Sequence, residues 1–183
     1  MRQSDVMVYL MTGFLDSGKT QFLTFTLEQD YFQIQGKTLL ILCEEGEEEY
    51  DPKEMLKYGV VIEKVEDKED LTEAWLEEMN RKHKPERVVV EYNGMWPVSD
   101  FEKLALPAGW KIEQKIATVD ASTFQMYLTN LKPLFVEMVK GAELVLFNRC
   151  EDRGPLAGYR RSVKVVSPQA EVIFEDENGE VDN

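Results

Sequence analysis

The segment Gly13-Phe-Leu-Asp-Ser-Gly18-Lys19-Thr20 places two glycines, a lysine and a hydroxyl residue at the spacing of a phosphate-binding loop, Gly-x-x-x-x-Gly-Lys-Thr. Each position has a chemical reason. Glycines let the backbone curl so that successive N–H groups point inward at phosphate oxygens. A helix opening near Gly18 adds the positive end of its dipole at the same spot. Lys19 would reach the outer phosphates of a triphosphate, and the Thr20 hydroxyl would ligate Mg2+. The loop residues Gly13, Asp16, Ser17, Gly18, Lys19 and Thr20 form the expected nucleotide-binding set. Asp16 sits awkwardly beside a polyanion, so its side chain is expected to point outward, or else to face a cation or a partner subunit.

Two further groups of residues lie at the ends of apolar runs. Glu91-Tyr-Asn-Gly94 follows Val88-Val-Val90. A carboxylate at the tip of a central strand beside such a loop is where a Mg2+-associated or water-orienting acid belongs. Glu91 is therefore a catalytic and metal candidate with Lys19 and Thr20, and Gly94 could bring a backbone N–H close to a terminal phosphate. The plainer reading is a turn with a solvated acid. Trp96-Pro97 beside it reads equally as a mobile lid or an apolar anchor. Asn148-Arg149-Cys150-Glu151 follows Leu144-Val-Leu-Phe147. It resembles the Asn-Lys-x-Asp motif that recognises guanine, with Arg for Lys and Glu for Asp. Arg149 can stack on a base, and Glu151 has the acceptor group for the base edge, with Asp152 as a rival.

These residues need a scaffold of strands and helices to converge. Residues 6–11 read as a short buried strand and residues 18–33 as a helix. Further strands are expected at 38–43, 60–65, 87–92, 111–119, 144–147 and 172–174. Helices are expected at 52–58 (closed by Gly59), around Leu71, Trp75, Leu76 and Met79, in 97–106, at 122–140 with an interruption near Pro133, and at 155–165. Residues 177–180, Glu-Asn-Gly-Glu, suggest a hairpin turn. Apolar strands alternating with helices imply an α/β fold with a mostly parallel sheet flanked by helices, here the P-loop NTPase fold. Residues 1–174 are expected to form one nucleotide-binding domain, and residues 175–183 an acidic tail or the start of a truncated further segment.

The chain has 183 residues, 43% of them hydrophobic, with 35 Asp and Glu against 21 Lys and Arg, a formal charge of −14. That balance argues against nucleic acid and anionic membrane surfaces as partners, since both need cationic patches. No apolar run is long enough to span a bilayer. The polar start carries no cleavage pattern, and the cysteines, Cys43 and Cys150, are expected to be reduced thiols in the cytoplasm.

Taken together, Gly13–Thr20, Glu44-Glu-Gly46-Glu47, Glu91-x-x-Gly94, Thr118-Val-Asp120-Ala121 and Asn148–Glu151 make the sequence similar to the CobW/HypB/UreG family of P-loop GTPases. The Gly-Phe-Leu opening of the loop and Ser167-Pro168-x-Ala170 resemble the CobW-type branch most. The resemblance implies a GTPase using Mg2+, with ATP as the other possible nucleotide, that couples hydrolysis to delivery of a metal or cofactor to a target protein. It also implies that Glu44 and Glu47 belong to a switch-like loop near Mg2+ and that Glu91 serves hydrolysis. The branch usually carries a Cys-x-Cys-Cys motif after the second strand, which this sequence lacks. His83, the lone histidine, is expected on the surface. No catalytic Arg or Gln can be assigned, so hydrolysis is expected to be slow unaided, and a homodimer could supply one. Two alternatives use the same loop. One is a small-molecule kinase with Arg153, Arg160 and Arg161 as phosphate clamps. The other is a nucleotide-dependent interaction module that does not hydrolyse.

Overall fold

Val6–Gly13 forms β1, and its position explains the rest of the molecule. In the computed structural model, which describes residues 5–14, 18–43, 50–150, 156–176 and 178–180, β1 lies inside an eight-stranded sheet of order β3-β2-β4-β1-β5-β6-β7-β8. The other strands are β2 (Thr38–Leu42), β3 (Val60–Lys64), β4 (Arg87–Glu91), β5 (Trp110–Asp120), β6 (Leu144–Asn148), β7 (Glu171–Asp176) and β8 (Gly179–Glu180). All pairings from β3 to β7 are parallel, and only β7 with β8 is antiparallel, as the Asn-Gly turn predicts. Every residue of β2 and β4 is buried, which is why these strands read as unbroken apolar runs rather than alternating ones.

The helices are α1 (Lys19–Glu28), α2 (Pro52–Lys57), α3 (Glu73–His83), α4 (Val98–Glu102), α5 (Phe124–Asn130), α6 (Lys132–Lys140) and α7 (Leu156–Val166). One sheet face packs Val8, Leu10, Ile41, Val88 and Val90 against Leu76, Met79 and Phe101 of α3 and α4. Further along that face, Ala117, Val119, Val145 and Phe147 meet Phe124, Phe135, Met138 and Val163 of α5, α6 and α7. On the other face Met11, Leu40, Val89 and Ile116 meet Leu23 and Leu27 of α1 and Met55 ahead of β3. Burying one such leucine stabilises the fold by about 2 kcal/mol.

Local chemistry sets the helix ends. Asp51 caps α2 by accepting from Lys53 N at 3.0 Å, Pro52 opens it, and Gly59 turns the chain into β3 at φ 72°. Thr72 caps α3 by accepting from Trp75 N at 3.1 Å. The helical stretch expected over residues 122–140 is two helices divided at Leu131, with Pro133 in the first turn of α6, where a missing N–H costs nothing. The helix expected to reach residue 33 stops at Glu28, and Gln29 is extended at ψ 141°. A tertiary tie outweighs helix continuation there. A 3-10 turn at Asp30–Phe32 delivers the Phe32 ring under the Arg87 guanidinium, 3.8 Å away, and Arg87 donates to Phe32 O at 2.6 Å. His83 departs from its expected surface setting. Its side chain is 12% exposed and its Nε2 lies 2.7 Å from Glu63 Oε1 on the edge strand β3.

Candidate functional site

Because β4 rather than β2 lies beside β1, the acid ending β4 arrives next to the phosphate-loop sequence. Met11 is in register with Glu91, and Tyr92 N donates to Met11 O at 2.8 Å. Sequence order alone does not give this neighbour relation. Gly13 closes β1 at φ 151°, and Gly18 caps α1 in the left-handed region at φ 91°, which only glycine adopts without strain. The helix therefore opens where the motif requires.

Lys19 is 3% exposed, and its ammonium donates to Gly13 O and, at 3.1 Å, to Phe14 O. The cation is thus folded into the mouth of the loop. Thr20 sits one residue on, and its hydroxyl donates to Glu91 Oε1 at 2.8 Å. Glu91 is 2% exposed. A hydroxyl whose proton is given to a carboxylate keeps its lone pairs for a cation. A hydroxyl and a carboxylate together form the oxygen donor set that Mg2+ takes. The residues present therefore fit that ion.

Gly94 is required by packing. A Cβ placed there would stand 2.0 Å from Gly13 O, 2.7 Å from Gly13 C and 2.9 Å from Phe14 Cα. The Glu-x-x-Gly turn is pressed directly onto the start of the phosphate loop. Asn93 fixes that turn by accepting from Met95 N at 2.8 Å. Trp96 and Pro97 anchor it: the Trp96 ring meets Tyr92 edge-on at 5.6 Å, and the Tyr92 hydroxyl donates to Pro97 O at 3.0 Å.

Asn148 and Arg149 end β6 on the same edge of the sheet. The Asn148 amide lies against Gly18, where a Cβ would come within 2.2 Å of its Nδ2. Arg149 takes a left-handed backbone at φ 54° and pairs its guanidinium with the Asp120 carboxylate. Asp120 ends β5 and also accepts from Ser122 N at 2.9 Å and Ser122 Oγ at 2.6 Å. Gly18, Asn148 and Arg149 help line a cleft of about 800 Å³ between α1 and the sheet, with Tyr9, Phe22 and Leu146. Asp16, Ser17, Glu44, Glu47 and Glu151 lie outside the described residues. Arg160 lies over the Phe174 ring at 5.3 Å.

The residue-level reading missed Tyr50 and the pairing of Asp120 with Arg149. Tyr50, half-buried just before α2, donates its phenolic hydrogen to Glu91 Oε2. Burial, then the Glu91 charge and the hydrogen bond to it, push the phenol well above its ordinary pKa. Among the described residues, no three His, Cys, Asp or Glu side chains converge as a metal cluster, and no helix is long and apolar enough to cross a membrane.

The chain is similar in fold to the hydrogenase maturation factor HypB from Archaeoglobus fulgidus, with TM-score 0.66 and 19% identity over 95% of this chain and 82% of that one. It is similar to Zn(II)-bound YjiA GTPase from E. coli, with TM-score 0.68 and 22% identity over 98% of this chain. It spans 60% of the length of YjiA. HypB from Helicobacter pylori, solved in complex with nickel, aligns with TM-score 0.61 and 13% identity over 94% of this chain and 80% of its own. No curated protein matches the sequence significantly. The family model for the CobW/HypB/UreG nucleotide-binding domain matches residues 7–174, from β1 with its phosphate-loop motif to the core of β7, and the chain belongs to that family.

Proposed function

We propose that this chain is a Mg2+-dependent GTPase domain of the CobW-type branch, coupling GTP binding and slow hydrolysis to delivery of a metal or cofactor to a target protein. The observation that carries this reading is the Thr20–Glu91 contact of 2.8 Å beside a buried Lys19 at the opening of α1. In this reading Gly13, Asp16, Ser17, Gly18 and Lys19 hold the phosphates, and Lys19 exchanges its loop carbonyls for phosphate oxygens. Thr20 and Glu91 hold Mg2+, with Glu44 and Glu47 completing the cation's surroundings, and Gly94 keeps the Glu91 turn seated on the loop. Asn148, Arg149 and Glu151 select the base, Asp120 aiming Arg149. When bound, Mg2+ would neutralise charge on the phosphates. Glu91 orients the attacking water. Hydrolysis is slow because no Arg or Gln is assigned to the transferring phosphate, and a homodimer is one way to supply it.

The metal-bound states of YjiA and HypB support the delivery part, as does the oxygen-rich acidic segment, which suits hard cations better than soft ones. The test is a titration of GTP and ATP with Mg2+, followed by phosphate release. Preference for GTP with slow release is expected. Equal affinity for the two nucleotides would remove the base-selection role of Glu151, and ATP-dependent phosphorylation of a metabolite would replace the GTPase reading with the kinase one.

A further inference from the structure

Glu91 accepts from two sides. Thr20 donates to Oε1 at 2.8 Å and Tyr50 donates to Oε2. The two donors come from different parts of the chain, 71 and 41 residues away in sequence. Tyr50 is held rigidly for this purpose. The next residue, Asp51, is the N-cap of α2, and the Tyr50 ring packs on the core cluster of Met11, Leu23 and Met55. The backbone of Glu91 is fastened at the same place, since Cys43 N donates to Glu91 O at 2.9 Å.

We propose that Tyr50 is a positioning residue for the Mg2+ site, holding the Glu91 carboxylate turned toward Thr20. A buried polar group needs hydrogen-bond partners in place of the water it has lost. Tyr50 supplies one such partner, and its direction is fixed. The phenol carries the hydrogen and the carboxylate offers lone pairs, so Tyr50 gives and Glu91 receives. With one oxygen clamped by Tyr50, rotation about the carboxyl axis is blocked, and the other oxygen stays on the Thr20 hydroxyl. Removing the phenolic oxygen frees that rotation, so the carboxylate must be ordered again before it can hold a divalent cation. This inference rests on the proposed Mg2+-dependent triphosphate site and adds the residue that orders it.

The test compares the wild-type chain, Tyr50→Phe, Glu91→Gln and the double variant, with Tyr58→Phe as a control for a neighbouring phenol that does not touch Glu91. The quantity read is the Mg2+ concentration giving half-maximal binding of a fluorescent GTP analogue, with thermal melting to confirm folding. Tyr50→Phe should raise it on the order of tenfold, as loss of one hydrogen bond to a charged group implies. The Tyr58→Phe value should match the wild type. In the Glu91→Gln background the Tyr50→Phe change should have no further effect, because Tyr50 acts through that carboxylate. An unchanged Mg2+ requirement in Tyr50→Phe, or an equal effect with and without Glu91, overturns the inference. A wild-type chain indifferent to Mg2+ overturns the underlying site reading instead. If Tyr50→Phe melts early, Tyr50→His, which keeps a ring and a donor, should recover part of the Mg2+ response, and failure to do so also counts against it.

Discussion

Replacing Gly94 by alanine isolates the contact between the Glu-x-x-Gly turn and the phosphate loop. The added Cβ would lie 2.0 Å from Gly13 O and 2.9 Å from Phe14 Cα, where ordinary contact begins near 3.4 Å. The obstructing atoms are backbone of the central strand, so no rotamer relieves them, and the two segments must part by about 1.4 Å. Overpacking of this kind costs about 1–3 kcal/mol, and the rigid neighbour puts Gly94→Ala at about 3. For a domain of this size that lowers Tm by roughly 6–12 °C. The same displacement pulls Glu91 from Thr20, so triphosphate affinity should fall on the order of a hundredfold. Gly141→Ala is the control, because its Cβ meets only the flexible ends of Glu102 and Lys115 at 3.4 Å. Calorimetry and binding of a fluorescent GTP analogue read both quantities. A Gly94→Ala variant that melts within 2 °C of the wild type, or binds GTP equally well, would refute the argument.

Other variants probe separate parts of the molecule. Lys19→Ala should abolish measurable triphosphate binding while circular dichroism shows the fold retained. Unchanged affinity would remove the phosphate-loop assignment. Asp120→Asn should change GTP affinity by no more than about fivefold, since Arg149 is 45% exposed and its ion pair is screened. A larger loss would make Asp120 a direct ligand. Burial pushes Glu63 up, but hydrogen bonds from Lys82 and His83 and their charges outweigh it and hold the carboxyl below its usual value. Its folded pKa is depressed, so its contribution to stability is present above the ordinary value of 4.5 and is lost as pH falls through the lower, folded one. Melting temperatures from pH 3 to 7 should therefore fall more steeply with acid in the wild type than in Glu63→Gln, and parallel curves would refute the link.

The strands were legible because burial on both faces demands the continuous apolar runs at Val88–Val90 and Leu144–Phe147, which periodicity registers. The opening of α1 at Lys19 was legible because the spacing of the motif before it is local. Tyr50 was not, for it reaches Glu91 across 41 residues and only the order of β2, β4 and β1 brings the two together. The Asp120–Arg149 pair was hidden for a similar reason: Arg149 turns through a left-handed backbone that its residue type does not announce. The end of α1 was misplaced because residues 30–32 respond to Arg87, a partner on another strand.

Helix α1 buries only Lys19, Leu23 and Leu27, while Phe25 is 61% exposed and the large cleft runs underneath. An element so lightly anchored opens more readily than the rest of the domain. In the proposed site Lys19 and Thr20, which would meet the phosphates and the cation, lie in its first turn. Occupancy at that turn therefore adds its own binding free energy to the local stability of the helix. A change in that stability would fall first on α1, whose outer face, with Phe25, is exposed.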